Sequence, residues 1–232
     1  MTHTSEASAT TPVVAMSIDD LVDRARALVA TGERRILGIA GTPGAGKSTV
    51  SDALLAALGD EAILVGMDGF HLANEQLVRL GRRDRKGAPD TFDIDGYVAL
   101  LDRIRAGHEV YAPRFDRGLE ESIGSAVLVP AHVPLVITEG NYLLHDALGW
   151  DAVASRLDEA WFLDVEADER RERLVARRLS HDHPHDEAVA WVRDVDEANA
   201  RVVEGGRHRA DLVITVSDTA AGGVGHHEGA LS

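Results

Sequence analysis

The chain contains no cysteine, which excludes disulfide bonds, thiolate metal sites and cysteine nucleophiles and fits a reducing, cytoplasmic location. Aromatic residues make up only 4% of its 232 residues, so we expect a core built mainly from Val, Leu, Ile and Ala. No apolar run approaches the roughly 18 residues that span a membrane. We therefore expect one globular domain over residues 17–216, between a disordered leader at 1–16 and a flexible tail at 217–232.

Positive charge is also scarce, because 24 Lys and Arg face 39 Asp and Glu and leave a net charge of −15. This balance argues against binding to nucleic acid or to an anionic membrane, but not against one anionic ligand in a local pocket. Only two of the basic residues are lysines, Lys47 and Lys86. A compact ammonium and a planar guanidinium are not interchangeable, so both positions are candidates for a specific role.

Short apolar runs alternate with segments of helical periodicity. The runs that predict buried strands lie at residues 36–40, 62–65, 134–138, 160–165 and 212–216. This alternation predicts an α/β fold of three layers, with a parallel sheet covered by helices on both faces. We expect Ser17 to cap the first helix and Asp95 to cap a later one. Residues 71–130 are too long and irregular for a simple crossover, so we predict a substrate-binding insertion there.

A glycine-rich segment between the first of these runs and the next helix fits the pattern G-x-x-x-x-G-K-[ST]. In this pattern successive backbone amides surround phosphate oxygens, the lysine reaches the β- and γ-phosphates, and the serine hydroxyl binds Mg²⁺. The alternative is a glycine-rich turn that binds nothing, but the flanking strand and helix favour a nucleotide site. The predicted nucleotide-binding residues are Gly41, Thr42, Pro43, Gly44, Ala45, Gly46, Lys47, Ser48 and Thr49.

Two acidic residues follow predicted strands, where ligands of parallel sheets bind. Asp68 could accept the proton of a substrate hydroxyl that attacks a phosphorus atom. Glu139 could bind Mg²⁺ together with Ser48, through oxygen or water. Each residue precedes a glycine, so each could instead belong only to a turn.

With these segments in this order, the chain resembles the phosphoribulokinase, uridine kinase and pantothenate kinase family of P-loop kinases. Three further segments resemble bacterial pantothenate kinases: Lys86-Gly87-x-Pro89, Phe92-Asp93 and Ala112-Pro113. Two others resemble a subgroup of nucleoside/nucleotide or fructose-transport-system kinases: Pro113-Arg114-Phe115-Asp116-Arg117 and Glu139-Gly140-Asn141-Tyr142. The resemblance implies ATP and Mg²⁺ as reaction partners, Lys47 as the P-loop lysine, Asp68 as the catalytic base and a homodimer as a possible assembly. It also implies that Arg177 is a catalytic arginine in a lid over residues 177–187.

Several other residues are candidates for contact with the phosphate acceptor. Lys86 lies in a basic cluster that could attract an anion or could simply be a solvated loop. Arg114 and Arg117 flank Phe115 and could line a pocket or belong to an exposed hairpin. The full predicted acceptor set is Asp68, His71, Lys86, Arg114, Arg117 and Tyr142.

Two weaker patterns lie near the predicted lid. Arg170, Arg173 and Arg177 share one helix face by their spacing, and that face could bind phosphate or could be a solvent-exposed stripe. The alternating histidines at 181–185 lack the cysteine or carboxylate partners of a zinc site, so we do not predict one.

The sequence thus predicts an ATP- and Mg²⁺-dependent kinase that phosphorylates a hydroxyl of a small metabolite, such as a sugar, a nucleoside or a pantothenate-like alcohol. The alternative is a nucleotide-dependent switch or regulator that acts on a protein partner. A kinase requires an acceptor pocket beside the phosphate site, whereas a switch requires an exposed docking surface.

Overall fold

The computed structural model describes residues 11–180 and 184–217, and its main feature is a parallel sheet. The strands of this part of the chain are β1 (Val13–Met16), β2 (Arg35–Gly41), β3 (Ala62–Leu64), β4 (Val110–Asp116), β5 (Glu121–Val129), β6 (Leu135–Gly140), β7 (Glu159–Leu163) and β8 (Leu212–Val216). Six of them form the sheet in the order β1-β8-β7-β2-β6-β3, with every neighbouring pair parallel. β4 and β5 form a separate antiparallel hairpin.

Helices lie in most of the connections between the strands. The α-helices of the described residues are α1 (Ile18–Val29), α2 (Lys47–Leu58), α3 (Asn74–Arg79), α4 (Ile94–Arg105), α5 (Asp151–Ala154), α6 (Ala167–Leu179), α7 (His185–Trp191) and α8 (Glu197–Gly205). A π-helical segment, Val192–Asp196, joins α7 to α8. Within the described ranges, no helix combines the length and apolar character needed to cross a membrane.

Two hydrophobic clusters pack on opposite faces of the sheet, and β2 contributes to both. Ile36 and Ala40 belong to one cluster, whereas Leu37 and Ile39 belong to the other. All four side chains are at most 1% exposed. A strand buried on both faces must be apolar at every position, which is why β2 has no alternating polar residues. The predicted three-layer α/β fold is confirmed.

The two predicted helix caps have different outcomes. The Ser17 hydroxyl accepts a hydrogen bond from the Asp20 amide, and the Asp20 carboxylate accepts one from the Ser17 amide, so the predicted capping box is present. The prediction that Asp95 caps α4 is wrong, because Asp93 does so and accepts a hydrogen bond from the Gly96 amide at 3.0 Å. The helix begins two residues earlier than its apolar periodicity suggested.

The boundary predicted between leader and domain needs a correction. Val13–Met16 pairs with β8 as the edge strand of the sheet, and the Ser217 amide donates to the Met16 carbonyl oxygen at 2.9 Å. These four residues are partly exposed and too few to give a clear periodic pattern, so only their pairing with the far end of the chain makes them a strand. The rest of the predicted leader (1–10) and tail (218–232) lies outside the described residues.

The insertion predicted at 71–130 connects β3 to its sheet neighbour β6 and does not add a strand to the sheet. It contains α3, α4 and the β4–β5 hairpin. The short helical turn Met67–Phe70 precedes it and packs against the hairpin, where a Cβ on Gly69 would stand only 2.5 Å from the Pro113 carbonyl oxygen. A glycine at position 69 therefore lets the turn that carries Asp68 reach the hairpin.

Candidate active site

The glycine-rich loop between β2 and α2 forms one wall of a cleft of about 860 Å³ at the carboxyl edge of the sheet. Gly44 adopts a φ of +83°, and a Cβ there would come within 3.0 Å of Arg170 and Leu174 on α6. The helix α2 begins at Lys47 without a capping side chain, so the amides of its first turn are available to a ligand. This arrangement of amides at a helix N-terminus suits phosphate groups.

Lys47 lies at the bottom of this cleft and is fully occupied by uncharged acceptors. Its Nζ donates to the carbonyl oxygens of Gly41 (2.8 Å) and Thr42 (3.0 Å) and to Asn141 Oδ1 (2.8 Å). Burial lowers the pKa of Lys47 to about 8, and the carboxylates of Glu139 and Asp68 act in the opposite direction. None of its partners neutralises the ammonium, so an arriving phosphate can compete for it.

Glu139 ends its strand directly beside the first turn of α2. The Ser48 hydroxyl donates to Glu139 Oε1 at 3.1 Å, and the Ser51 hydroxyl donates to Oε2 at 3.3 Å. Burial raises the pKa of the Glu139 carboxyl group, and Lys47 partly offsets this effect. A hydroxyl and a half-buried carboxylate side by side form the hard oxygen donor set that Mg²⁺ takes. In the part of the chain that the structure describes, no cluster of three His, Cys, Asp or Glu residues suits a metal ion.

Asp68 faces the same cleft from the turn after β3. Its carboxylate lies 3.4 Å from Arg117 Nη2 at the tip of the β4–β5 hairpin, and both side chains are more than 40% exposed. The ring of His71 hydrogen-bonds to the Asp68 carbonyl oxygen at 2.8 Å and packs between Phe92 and Phe115. The carboxylate is therefore accessible, while its main chain is held in place.

Residues of α6 and of the π-helical segment close the cleft on its remaining side. Burial and the nearby charge of Arg117 lower the pKa of the Arg177 guanidinium. The Arg178 guanidinium lies 4.3 Å from the centre of the Trp191 ring. Asp196, at the end of the π-helical segment, also lines the cleft, and burial raises its pKa to about 6.

Comparison with known proteins adds an independent observation. No protein-family model matches the chain. A Schizosaccharomyces pombe protein whose name proposes uridine kinase activity is 31% identical over 211 residues, which are 85% of this chain and 90% of that protein. A pantothenate kinase from Levilactobacillus brevis is 30% identical over 213 residues, which are 77% of this chain and 67% of that protein.

The chain belongs to the P-loop kinase family that includes uridine and pantothenate kinases. A crystal structure of a Silicibacter sp. TM1040 protein, whose name proposes a fructose transport system kinase, superposes with a TM-score of 0.79. It is 39% identical and covers 85% of this chain and 98% of its own. The family resemblance and the fold expected from the sequence are thereby confirmed, and the protein is a small-molecule kinase, that is, a phosphotransferase.

The structure of this kinase brings most of the predicted site residues to one cleft. Those that line it are Pro43, Gly44, Gly46, Lys47, Ser48, Thr49, Asp68, His71, Lys86, Arg117, Glu139 and Arg177. Gly41, at the end of β2, and Thr42 and Ala45, in the loop, are buried and do not line the cleft.

Two predicted acceptor residues do not reach the cleft. Arg114 is exposed on the hairpin, which is the alternative that its sequence pattern left open. Tyr142 is fully buried in the core and donates its hydroxyl hydrogen to the Gly87 carbonyl oxygen at 2.6 Å. Tyr142 follows β6 in a bend of the chain, so its place in the sequence did not show which way its side chain points.

The arginines predicted to share one face of α6 have different environments in this kinase. Arg173 and Arg177 line the cleft, whereas Arg170 is 4% exposed and pairs with Glu197 of α8. Arg173 also pairs with Glu169 on its own helix. The part of the predicted lid at 181–183, which includes two of the alternating histidines, lies outside the described residues.

Sequence reasoning gave no role to several residues of the cleft, among them Asn141, Trp191 and Asp196. Asn141 could have been found, because it follows the carboxyl end of a predicted strand. Trp191 and Asp196 carry no comparable signal, since their position depends on the π-helical turn.

Proposed function

We propose that this kinase transfers the γ-phosphoryl group of ATP, in the presence of Mg²⁺, to a hydroxyl of a small metabolite. The observation that supports this function is the meeting of three groups in one cleft: the Lys47 ammonium, the Ser48–Glu139 oxygen pair and the Asp68 carboxylate. Phosphoryl transfer needs these three elements to bind the donor, to neutralise its charge and to orient the acceptor.

The triphosphate is expected to bind at the amino end of α2. The amides of Gly44, Gly46 and Lys47 donate to its oxygens, and the Lys47 side chain exchanges the Asn141 oxygen for a phosphate oxygen. Asn141 is neutral, so this exchange breaks no ion pair. Ser48 and Glu139 fit as holders of Mg²⁺, which neutralises the β- and γ-phosphates when it is bound.

The acceptor is expected to lie between Asp68 and the γ-phosphate. The acceptor oxygen forms a bond to the γ-phosphorus, and the bond from that phosphorus to the β–γ bridging oxygen breaks, so that ADP leaves with the electron pair. The proton of the acceptor hydroxyl passes to Asp68. Arg177 stabilises the negative charge on the transferring group, since its guanidinium faces the same cleft.

A coupled ADP-release assay over sugars, nucleosides, pantothenate-like alcohols and hydroxy acids tests this function. We expect MgATP to bind in calorimetry and at least one acceptor to stimulate ADP release well above the basal rate. Steady hydrolysis that no acceptor stimulates would instead favour the nucleotide-dependent switch. An absence of binding heat with MgATP on folded protein would exclude both functions.

We further propose that the kinase acts in the cytoplasm and does not bind nucleic acid. The absence of cysteine and the net charge of −15 support these two statements. A homodimer is the proposed assembly, and analytical ultracentrifugation tests it directly.

A further inference from the structure

Lys86, the second lysine of the chain, presents a half-buried ammonium to the cleft. Its Nζ donates to Asn74 Oδ1 at 2.8 Å and to the main-chain carbonyl oxygen of Glu120, and it lies 5.0 Å from the centre of the Phe115 ring. All three partners are uncharged. Among the described residues, no carboxylate forms an ion pair with Lys86, so its charge remains without a counter-ion.

The two acidic residues whose charges act on Lys86, Glu120 and Glu121, do not supply that counter-ion. Glu121 accepts the Asn74 amide with both carboxylate oxygens, at 2.9 and 3.2 Å, at the start of α3. Glu120 uses its main-chain oxygen, not its carboxylate, to bind Lys86. Burial lowers the pKa of Lys86, and these carboxylates act on it only through space. In a chain with an excess of 15 negative charges, an unpaired ammonium at a cleft wall is unusual.

The loop that carries Lys86 is held firmly by the core. The Tyr142 hydroxyl donates to the Gly87 carbonyl oxygen at 2.6 Å, and Trp150 Nε1 donates to the Pro89 carbonyl oxygen at 3.0 Å. The Gly87 amide donates to Thr91 Oγ1 at 3.0 Å. Because its loop and its ammonium are both fixed, Lys86 offers a positioned donor, unlike a mobile surface lysine.

Lys86 also lies near the proposed catalytic base. The Phe115 ring contacts Lys86 and lies 4.8 Å from the His71 ring, and His71 hydrogen-bonds to the main chain of Asp68. Arg117, on the same hairpin, contacts the Asp68 carboxylate. Asp68, Lys86 and Arg117 all line the same cleft, so an acceptor whose hydroxyl reaches Asp68 meets positively charged groups there.

We propose that the acceptor carries an anionic group, a carboxylate or a phosphate ester, that binds to the Lys86 ammonium while its hydroxyl faces Asp68. This inference rests on the proposed kinase function and narrows its substrate class to acidic alcohols. Neutral sugars and nucleosides then become poor acceptors, because they leave the ammonium desolvated and unpaired.

Acceptors that share a carbon skeleton and differ in charge test the proposal on the unmodified protein. ADP release is measured with MgATP and with glycerol, glycerate and glycerol 3-phosphate, and likewise with pantothenyl alcohol and pantothenate. We expect kcat/KM for the anionic member to exceed that for its neutral counterpart by about tenfold or more. The glycerol series also distinguishes a carboxylate from a phosphate ester.

Variants at position 86 then assign the preference to this side chain. Lys86→Gln should reduce kcat/KM for the anionic acceptor by about tenfold, mainly through KM, and so remove most of its advantage over the neutral acceptor. Lys86→Arg should retain most of the preference, since it keeps the charge. Arg83→Gln removes an exposed cation from the same loop, outside the cleft, and serves as the matched control.

The failure of this inference can be distinguished from the failure of the kinase function. If the neutral members are used equally well or better, the anionic acceptor is overturned and the kinase function stands. The same conclusion follows if Lys86→Gln does not reduce the preference for the anionic members. If no alcohol stimulates ADP release, the kinase function fails and the acceptor proposal fails with it. The comparison on the unmodified protein remains decisive even if Lys86→Gln does not fold.

Discussion

The side-chain oxygen of Asn141 accepts a hydrogen bond from the Lys47 ammonium at 2.8 Å. Asn141 follows β6, which carries Glu139, whereas Lys47 opens α2. One strand end thus supplies both the carboxylate beside Ser48 and the neutral acceptor for the P-loop lysine. Such an acceptor orients the ammonium without competing strongly with phosphate.

Replacing this neutral acceptor with a charged one should weaken nucleotide binding. In Asn141→Asp a carboxylate would pair with Lys47 and repel the phosphates, so we expect the Kd for MgATP to rise about tenfold or more. Asn141→Ser keeps a neutral oxygen and should change the Kd by less than about threefold. Calorimetric titration of both variants checks this, and wild-type affinity in Asn141→Asp would contradict the proposed exchange at Lys47.

Asp68→Asn should separate chemistry from nucleotide binding. The amide cannot accept the acceptor's proton, so we expect kcat to fall by about 100-fold or more while the Kd for MgATP stays within a few-fold of the wild-type value. ADP-release kinetics and calorimetry measure the two effects. Arg114→Gln changes an exposed residue outside the cleft and should leave both values unchanged. Full turnover by Asp68→Asn would remove Asp68 from the mechanism.

Removal of magnesium should weaken ATP binding to the wild type more than it weakens ATP binding to a variant at Glu139. We expect ATP to bind about tenfold more weakly to the wild type in EDTA than in Mg²⁺, because the metal neutralises the phosphates. Glu139→Gln should bind ATP weakly in both solutions. Glu120→Gln, at a carboxylate on the acceptor side of the cleft, should retain the magnesium effect. A normal magnesium effect in Glu139→Gln would argue against Glu139 as a metal holder.

Asp196 provides a test based on pH and stability. Its pKa in the folded protein is about 6, above the ordinary value of 3.8, because burial disfavours the charged form. The folded protein therefore binds this proton more tightly than the unfolded chain does. The free energy of unfolding therefore falls as the pH rises from 3.8 to about 6, and this loss of stability is complete above that range.

Asp196→Asn should remove the loss of stability that the ionised Asp196 carboxylate causes. At pH 8 we expect the free energy of unfolding of the variant to exceed that of the wild type by about 1–3 kcal/mol. At pH 5 we expect this difference to be about 1 kcal/mol smaller. Urea denaturation at the two pH values measures the difference. Asp194→Asn, at an exposed carboxylate in the same helical segment, should show no such gain. A gain that does not vary with pH would contradict the raised pKa.

Local patterns in the sequence predicted those strands and helices that depend on residues close together in the chain. The apolar run around Ile36–Ala40 predicted β2, since only a strand buried on both faces tolerates such continuity. The capping box at Ser17 predicted the start of α1 for a similar reason, because its two hydrogen bonds span three residues. The edge strand at Val13–Met16 escaped prediction because its partner β8 lies about 200 residues away.

The same distinction holds for the active site. The amino-acid sequence alone determined the glycine-rich loop and the two strand-end carboxylates, because consecutive residues on a strand and a helix create those positions. Only the tertiary structure decided that Asn141 binds Lys47, that Arg117 reaches Asp68, and that Tyr142 supports a loop instead of lining the cleft. Each of these contacts joins segments at least 49 residues apart, and no local pattern encodes which side chains meet when a chain packs on itself.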